Sequence, residues 1–272
     1  MTVTTRRSTL KVAGRTIAYS ASGPGDGVAV CIHGFGSDRS VWSFNVPALV
    51  AGRTVYALDL PGHGLSQPAL ESGSLDELVT IVSGFFAGLG LSNVQLIGHS
   101  LGGSIAIRLA ADHPELVAAL MLVAPVGVGA PGAGVSMNMR FFEQFLAMRT
   151  AEKAQRVLAA LVAKPSLISP EMAAGVWRHL TAPGVTETLT AIVDHALRRD
   201  LHDGALRGTL LSLKLPVDII WGTEDAIIPV ASTDGLPSSL SVHRVPDAGH
   251  LVQMEKPAIA NRLMTAQAAR LG

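Results

Sequence analysis

Apolar residues fall along this chain in two rhythms, short continuous runs and longer stretches at helical spacing, and the two alternate. The runs Val28-Ala29-Val30-Cys31-Ile32, Thr54–Leu58, Val94–Gly98, Ala119–Val123 and Val217–Trp221 suit strands buried on both faces of a parallel sheet. Ahead of them, Leu10–Val12 and Thr16–Tyr19 flank a turn at Ala13-Gly14-Arg15 and predict a strand pair. Ser74 opens a helix that extends to about Gly90, with Ser74 and Glu77 spaced as a capping box. Leu101–Ala111 predicts a second helix.

Beyond Pro125 the rhythm changes. A Gly/Pro stretch leads into helical periodicity over Asn138–Met148, Ala151–Ala163, Pro170–Leu180 and Val185–Leu197, with no strand signal among them. The alternation then resumes, with a helix near Ala231, a strand at Ser241–Val245 and a last helix over Pro257–Ala269. The pattern predicts an α/β core in two parts, residues 1–126 and 209–272, around a helical cap inserted at 127–208.

The length, 272 residues, suffices for one large core and an insertion. Lys and Arg number 21, as do Asp and Glu, so net charge gives no reason to expect nucleic acid or an anionic membrane as partner. The one cysteine, Cys31, sits inside an apolar run and reads as a buried core residue; alone, it excludes an internal disulfide framework and a thiol pair for zinc. The polar start, Met1 to Arg7, has no apolar h-region, and the two long charge-free stretches are broken by glycine, proline and polar residues. A soluble, cytoplasmic protein is expected, a monomer or a homodimer.

Candidate chemistry centres on Gly98-His99-Ser100-Leu101-Gly102, which follows one apolar run and opens a helix. That spacing in a strand-turn-helix is a nucleophile elbow. The turn strains the serine backbone, so the positions two residues to either side must be small. Two further segments lie just past apolar runs, Trp221-Gly222-Thr223-Glu224-Asp225 and Pro246-Asp247-Ala248-Gly249-His250. A fourth, His33-Gly34-Phe35-Gly36, follows the first long run, and Asp59 to Gly64 forms a turn after the next. The carboxyl ends of parallel strands are where such residues converge on a crevice.

In these motifs, and in their order along the chain, the sequence resembles the α/β-hydrolase superfamily over nearly its whole length. The resemblance implies a mostly parallel eight-stranded sheet flanked by helices. It implies Ser100 as nucleophile, His250 as the base that takes its proton, and Asp225 as the acid that orients the imidazole. Glu224 and Asp247 are the alternative acids. It also implies an oxyanion hole made by the amides of Phe35 and Leu101, with His33 bracing the loop and His63 architectural. His113, His179, His195, His202 and His243 carry no motif and read as surface or core residues. Gly127 to Gly132 has the spacing of a dinucleotide loop, but Pro131 opposes a helix there. No metal or cofactor is implied.

The substrate is expected to be a small-molecule acyl compound, met by Met139, Phe142 and Phe145 from the cap and by Trp42 from the loop after the oxyanion segment. A serine at the elbow argues against the dehalogenase and epoxide hydrolase branches, which place aspartate there. Hydrolysis of a small to medium, largely apolar carboxylic ester through an acyl-enzyme on Ser100 is the expected reaction. Cap and C-terminus look most like the hydrolase-type domain of acetoin-cleaving dihydrolipoamide acetyltransferases, but no lipoyl domain is expected ahead of the core. C–C bond hydrolases of the meta-cleavage type share the triad and cap, yet commonly carry asparagine where His99 stands. A ligand receptor that keeps the fold without turnover is the remaining alternative.

Overall fold

The computed structural model describes residues 4–132, 137–202 and 204–271. A hairpin of β1 (Thr5–Val12) and β2 (Arg15–Ser22) precedes six parallel strands: β3 (Gly27–Ile32), β4 (Arg53–Leu58), β5 (Val94–His99), β6 (Val117–Val123), β7 (Val217–Gly222) and β8 (Ser241–Val245). They form one sheet in the order β1-β2-β4-β3-β5-β6-β7-β8. The expected α/β-hydrolase architecture is present. The chain steps from β3 out to β4 and back across to β5, so the winding reverses between β3 and β5. A crevice opens at the carboxyl ends of strands at such a point, and the pairing of Ile32 with Gly98 sets those two ends side by side.

The helices surround this sheet. α1 (Val46–Leu49), α2 (Leu75–Leu89) and α3 (Leu101–Asp112) fall between the early strands. α4 (Met139–Leu146), α5 (Ala151–Leu158), α6 (Pro170–Leu180), α7 (Val185–Ile192) and α8 (Arg207–Ser212) all lie between β6 and β7. α9 (Val252–Glu255) and α10 (Pro257–Ala269) close the chain. The last helix is tied to the sheet by buried amides: Gln95 Nε2 donates to Gln267 Oε1 at 2.9 Å, and Gln267 Nε2 donates to the Leu120 carbonyl at 3.0 Å. Among the described residues, no helix is long and apolar enough to cross a membrane.

Four expectations need correction. The first strand starts at Thr5, five residues before the expected Leu10; as an edge strand it leaves Thr5, Arg6 and Arg7 exposed, so its polar composition hides it. The Ser74–Glu77 box is half formed. Ser74 Oγ accepts the Glu77 amide at 3.2 Å, but the Glu77 carboxylate turns to the amides of Glu71, Ser72 and Gly73. The helix from Val185 passes into a π-helical stretch over Val193–Asp200, which brings Asp200 Oδ2 to within 2.8 Å of the Leu75 amide at the start of α2. Near Ala231 there is only a 3-10 turn, Val230–Thr233.

Candidate active site

Ser100 sits between β5 and α3 with φ 53° and ψ −119°, a left-handed conformation that costs a non-glycine residue about 1–3 kcal/mol. The surrounding chain holds it there. Its amide donates to the Val123 carbonyl at 2.9 Å, and the flanking glycines permit backbone contact that no side chain would allow. A Cβ on Gly98 would come within 2.4 Å of the Gly102 oxygen, and one on Gly102 within 2.5 Å of the Ile32 and His33 oxygens. Gly102→Ala is therefore expected to push α3 away from β3 and to destabilise the fold by about 1–3 kcal/mol. Urea unfolding measures this; an unchanged midpoint would show that the helix can relax.

The expected base and acid, His250 and Asp225, follow β8 and β7. His250 Nδ1 lies 2.7 Å from Asp225 Oδ2, and both side chains are buried. The other Asp225 oxygen accepts the amides of Ile227 and Ile228 at 2.8 and 2.9 Å. An ionised carboxylate can only accept, so Nδ1 carries the proton and Nε2 keeps its lone pair. Glu224 and Asp247, the alternative acids, are exposed and make no bond to His250.

His99 is a partner that sequence reading did not find. Its Nε2 donates to the His250 carbonyl at 3.0 Å, and the two rings stand 4.7 Å apart, so the residue before the nucleophile holds the backbone of the base. Burial, then the neighbouring His250, hold His99 well below the usual histidine range, so it stays neutral. No spacing rule links residues 99 and 250; β5 and β8 are not neighbours in the sheet, and only the loop after β8 brings the two residues together.

Two more histidines brace the loop after β3. His33 donates from Nδ1 to the Gly34 carbonyl at 2.7 Å and accepts the Leu60 amide at Nε2 at 2.9 Å. His63 donates from Nδ1 to the Pro61 carbonyl and accepts the Gly36 amide at 3.0 Å. Burial lowers both pKa values, which keeps the accepting nitrogens unprotonated. Asp59 secures the same turn by accepting the Arg39 and Leu65 amides and pairing with the Arg39 guanidinium. The Phe35 loop is thus fixed beside the elbow, where a Cβ on Gly34 would lie 2.9 Å from Ser100 Cβ.

A cavity of about 260 Å³ opens above Ser100, His99 and His250. Phe35, Phe142 and Phe145 line it, their rings packed edge to face at 5.4 and 5.3 Å. Two expected wall residues are elsewhere. Trp42 is fully enclosed in the core, and its neighbours Ser40 and Val41 face the cavity instead. Met139, in the first turn of α4, packs on the core while the phenylalanines of that helix turn to the cavity. The remaining roof comes from Leu158, Leu161, Val176, Leu180 and Leu189. His179, expected to be an ordinary surface or core residue, also reaches the cavity, with Nε2 donating to the Gly62 carbonyl at 3.0 Å. Among the lining residues Asp38 is the one carboxylate, and none is Lys or Arg.

This fold and this site define a member of the α/β-hydrolase superfamily. A family model for the alpha/beta hydrolase fold matches residues 28–257, and the chain belongs to that family. It is 35% identical over 258 residues to the dihydrolipoyllysine-residue acetyltransferase component of the acetoin cleaving system of Cupriavidus necator, a match covering 93% of this chain and 66% of the relative. The chain thus spans about two thirds of that relative's length. A 2-hydroxy-6-oxononadienedioate/2-hydroxy-6-oxononatrienedioate hydrolase from a Pseudomonas species is 28% identical over 262 residues, 92% of this chain and 90% of the relative. Among solved structures, a meta-cleavage product hydrolase from Pseudomonas fluorescens superposes with a TM-score of 0.80 at 22% identity, over 96% of this chain and 98% of that one. That likeness shows the fold.

Proposed function

We propose that the chain is a serine hydrolase that cleaves a small to medium, largely apolar carboxylic ester through an acyl-enzyme on Ser100. Ser100 Oγ attacks the carbonyl carbon as His250 Nε2 takes its proton, and Asp225 steadies the imidazolium. The oxyanion forms against the Phe35 and Leu101 amides; among the described residues, neither amide has a protein acceptor. His250 then gives the proton to the leaving alcohol. Water attacks the acyl-enzyme by the same route and releases the acid. The helical segment between β6 and β7 acts as the cap, with the division at 127–208.

The lining of the cavity carries this reading. It is largely apolar, its volume is just under the roughly 300 Å³ at the lower end for drug-sized ligands, and it contains no Lys or Arg. A substrate carboxylate buried there would go unpaired beside Asp38, at a large desolvation cost. That disfavours the dioate substrates named for the Pseudomonas relative. The similarity to an acetyltransferase component favours acyl transfer as the second reading.

A panel of p-nitrophenyl esters from acetate to octanoate, with a hemisuccinate ester beside them, tests the proposal. The neutral esters are expected to exceed the hemisuccinate in kcat/KM by about tenfold or more. Cleavage of a vinylogous 1,5-diketone with no ester turnover would move the reading to C–C hydrolysis. Faster deacylation by dihydrolipoamide than by water would move it to acyl transfer.

A further inference from the structure

We propose that Glu255 is a positioning residue that carries the placement of the helical insertion to the imidazole of His250. The observation is a clamp between two segments far apart in sequence. Glu255 Oε1 accepts the amide of Gly249, the residue before His250, at 2.7 Å. Oε2 of the same carboxylate accepts the amide of Ala163, at the end of the α5 region, at 2.8 Å. Beside this bridge, the Leu161 carbonyl accepts the amides of His250 at 2.8 Å and Leu251 at 3.2 Å. Glu255 supplies the side-chain half of the clamp; the rest is backbone.

The approach is close enough to demand glycine. A Cβ on Gly249 would lie 2.8 Å from the Ala163 nitrogen and equally near Val162. His250 is therefore held at its amide by the insertion and at its carbonyl by His99. Leu161, within the clamp, and Leu158, three residues before it, line the cavity. A substrate that presses on these side chains bears on the segment that fixes the base. Filling of the apolar chamber and alignment of the imidazole are thus one mechanical event.

The chemistry of the clamp needs a carboxylate. Both partners are N–H donors, and only an acid offers an acceptor oxygen to each; glutamine would present its own N–H to one of them. Lost alignment at a proton-transfer site is costly, since a shift of about 1 Å can cost about 100-fold in rate.

The inference rests on His250 as catalytic base, and the test separates the two ideas. Glu255→Gln in the full chain is expected to lower kcat for a neutral aryl ester about tenfold, with KM within about twofold of wild type. Inactivation by a fluorophosphonate should slow in parallel, and the downfield imidazole proton shared by His250 and Asp225 should broaden in the proton NMR spectrum. Ala163→Pro removes the donor at the other end and carries the test if Glu255→Gln fails to fold; combined with it, Ala163→Pro should add no further loss. Unchanged kcat, a loss confined to KM, or a fall in melting temperature alone would overturn the positioning role while leaving the triad in place. A wild-type chain inert to both ester and fluorophosphonate would overturn the base itself and this inference with it.

Discussion

Ser100→Ala is expected to abolish covalent labelling by a fluorophosphonate and to lower ester turnover by about 10⁴-fold or more. The size follows from what the hydroxyl does. In the proposed mechanism it is the one atom of the site that forms a bond to the substrate, and the remaining groups, two amides and a histidine, would only stabilise attack by water. The fold should hardly notice its loss. The Ser100 side chain makes no capping hydrogen bond to α3, so removing it leaves the start of that helix as it is. Alanine meets the same left-handed φ of 53°, and the strain is therefore common to both proteins. Melting temperature should stay within about 2 °C of wild type, equivalent to less than about 1 kcal/mol. Equal labelling and turnover in the two proteins would remove Ser100 from the mechanism.

What the sequence disclosed and what it hid divide along a physical line. The strands β3 to β7 were legible because burial on both faces turns them into continuous apolar runs. The elbow was legible because a strained turn between a strand and a helix forces glycine onto Gly98 and Gly102, and that is a local demand. Edge strand β1 was half hidden, since a strand exposed on its outer side needs no apolar pattern. Trp42 misled for a different reason. Its large indole suggested a wall, but in a 3-10 turn adjacent residues point in different directions, and the core took Trp42 while the cavity took Val41. Met139 shares a helix face with Phe142, but it stands one turn earlier, at the start of α4, where that face meets the core and not the cavity. His99, Glu255 and His179 were illegible because each acts through a partner distant in sequence: the His250 carbonyl, the Ala163 amide and the Gly62 carbonyl. Spacing motifs record local geometry. Contacts of this kind exist only once the strand order has been set.

Asp225→Asn is expected to lower kcat by about 10⁴-fold while preserving the fold and the cavity. The carboxylate faces donors on both sides, the imidazole Nδ1 at 2.7 Å and the amides of Ile227 and Ile228 at 2.8 and 2.9 Å. An asparagine can satisfy only one side with its oxygen. If the oxygen stays with the two amides, the NH₂ group faces His250 Nδ1, which must then become the acceptor. The ring proton moves to Nε2, and the nitrogen that should take the Ser100 proton has none of its lone pair left to offer. If the amide group flips, its N–H groups face two buried backbone donors, at a cost of about 1–3 kcal/mol for each donor left unsatisfied. The first arrangement should therefore prevail, leaving a well-folded protein with a misprotonated base. Circular dichroism should overlay that of wild type, and steady-state ester hydrolysis should fall by the stated factor. Activity within tenfold of wild type would mean that Asp225 does not set the tautomer of His250, and the acid would then have to be sought elsewhere around the ring.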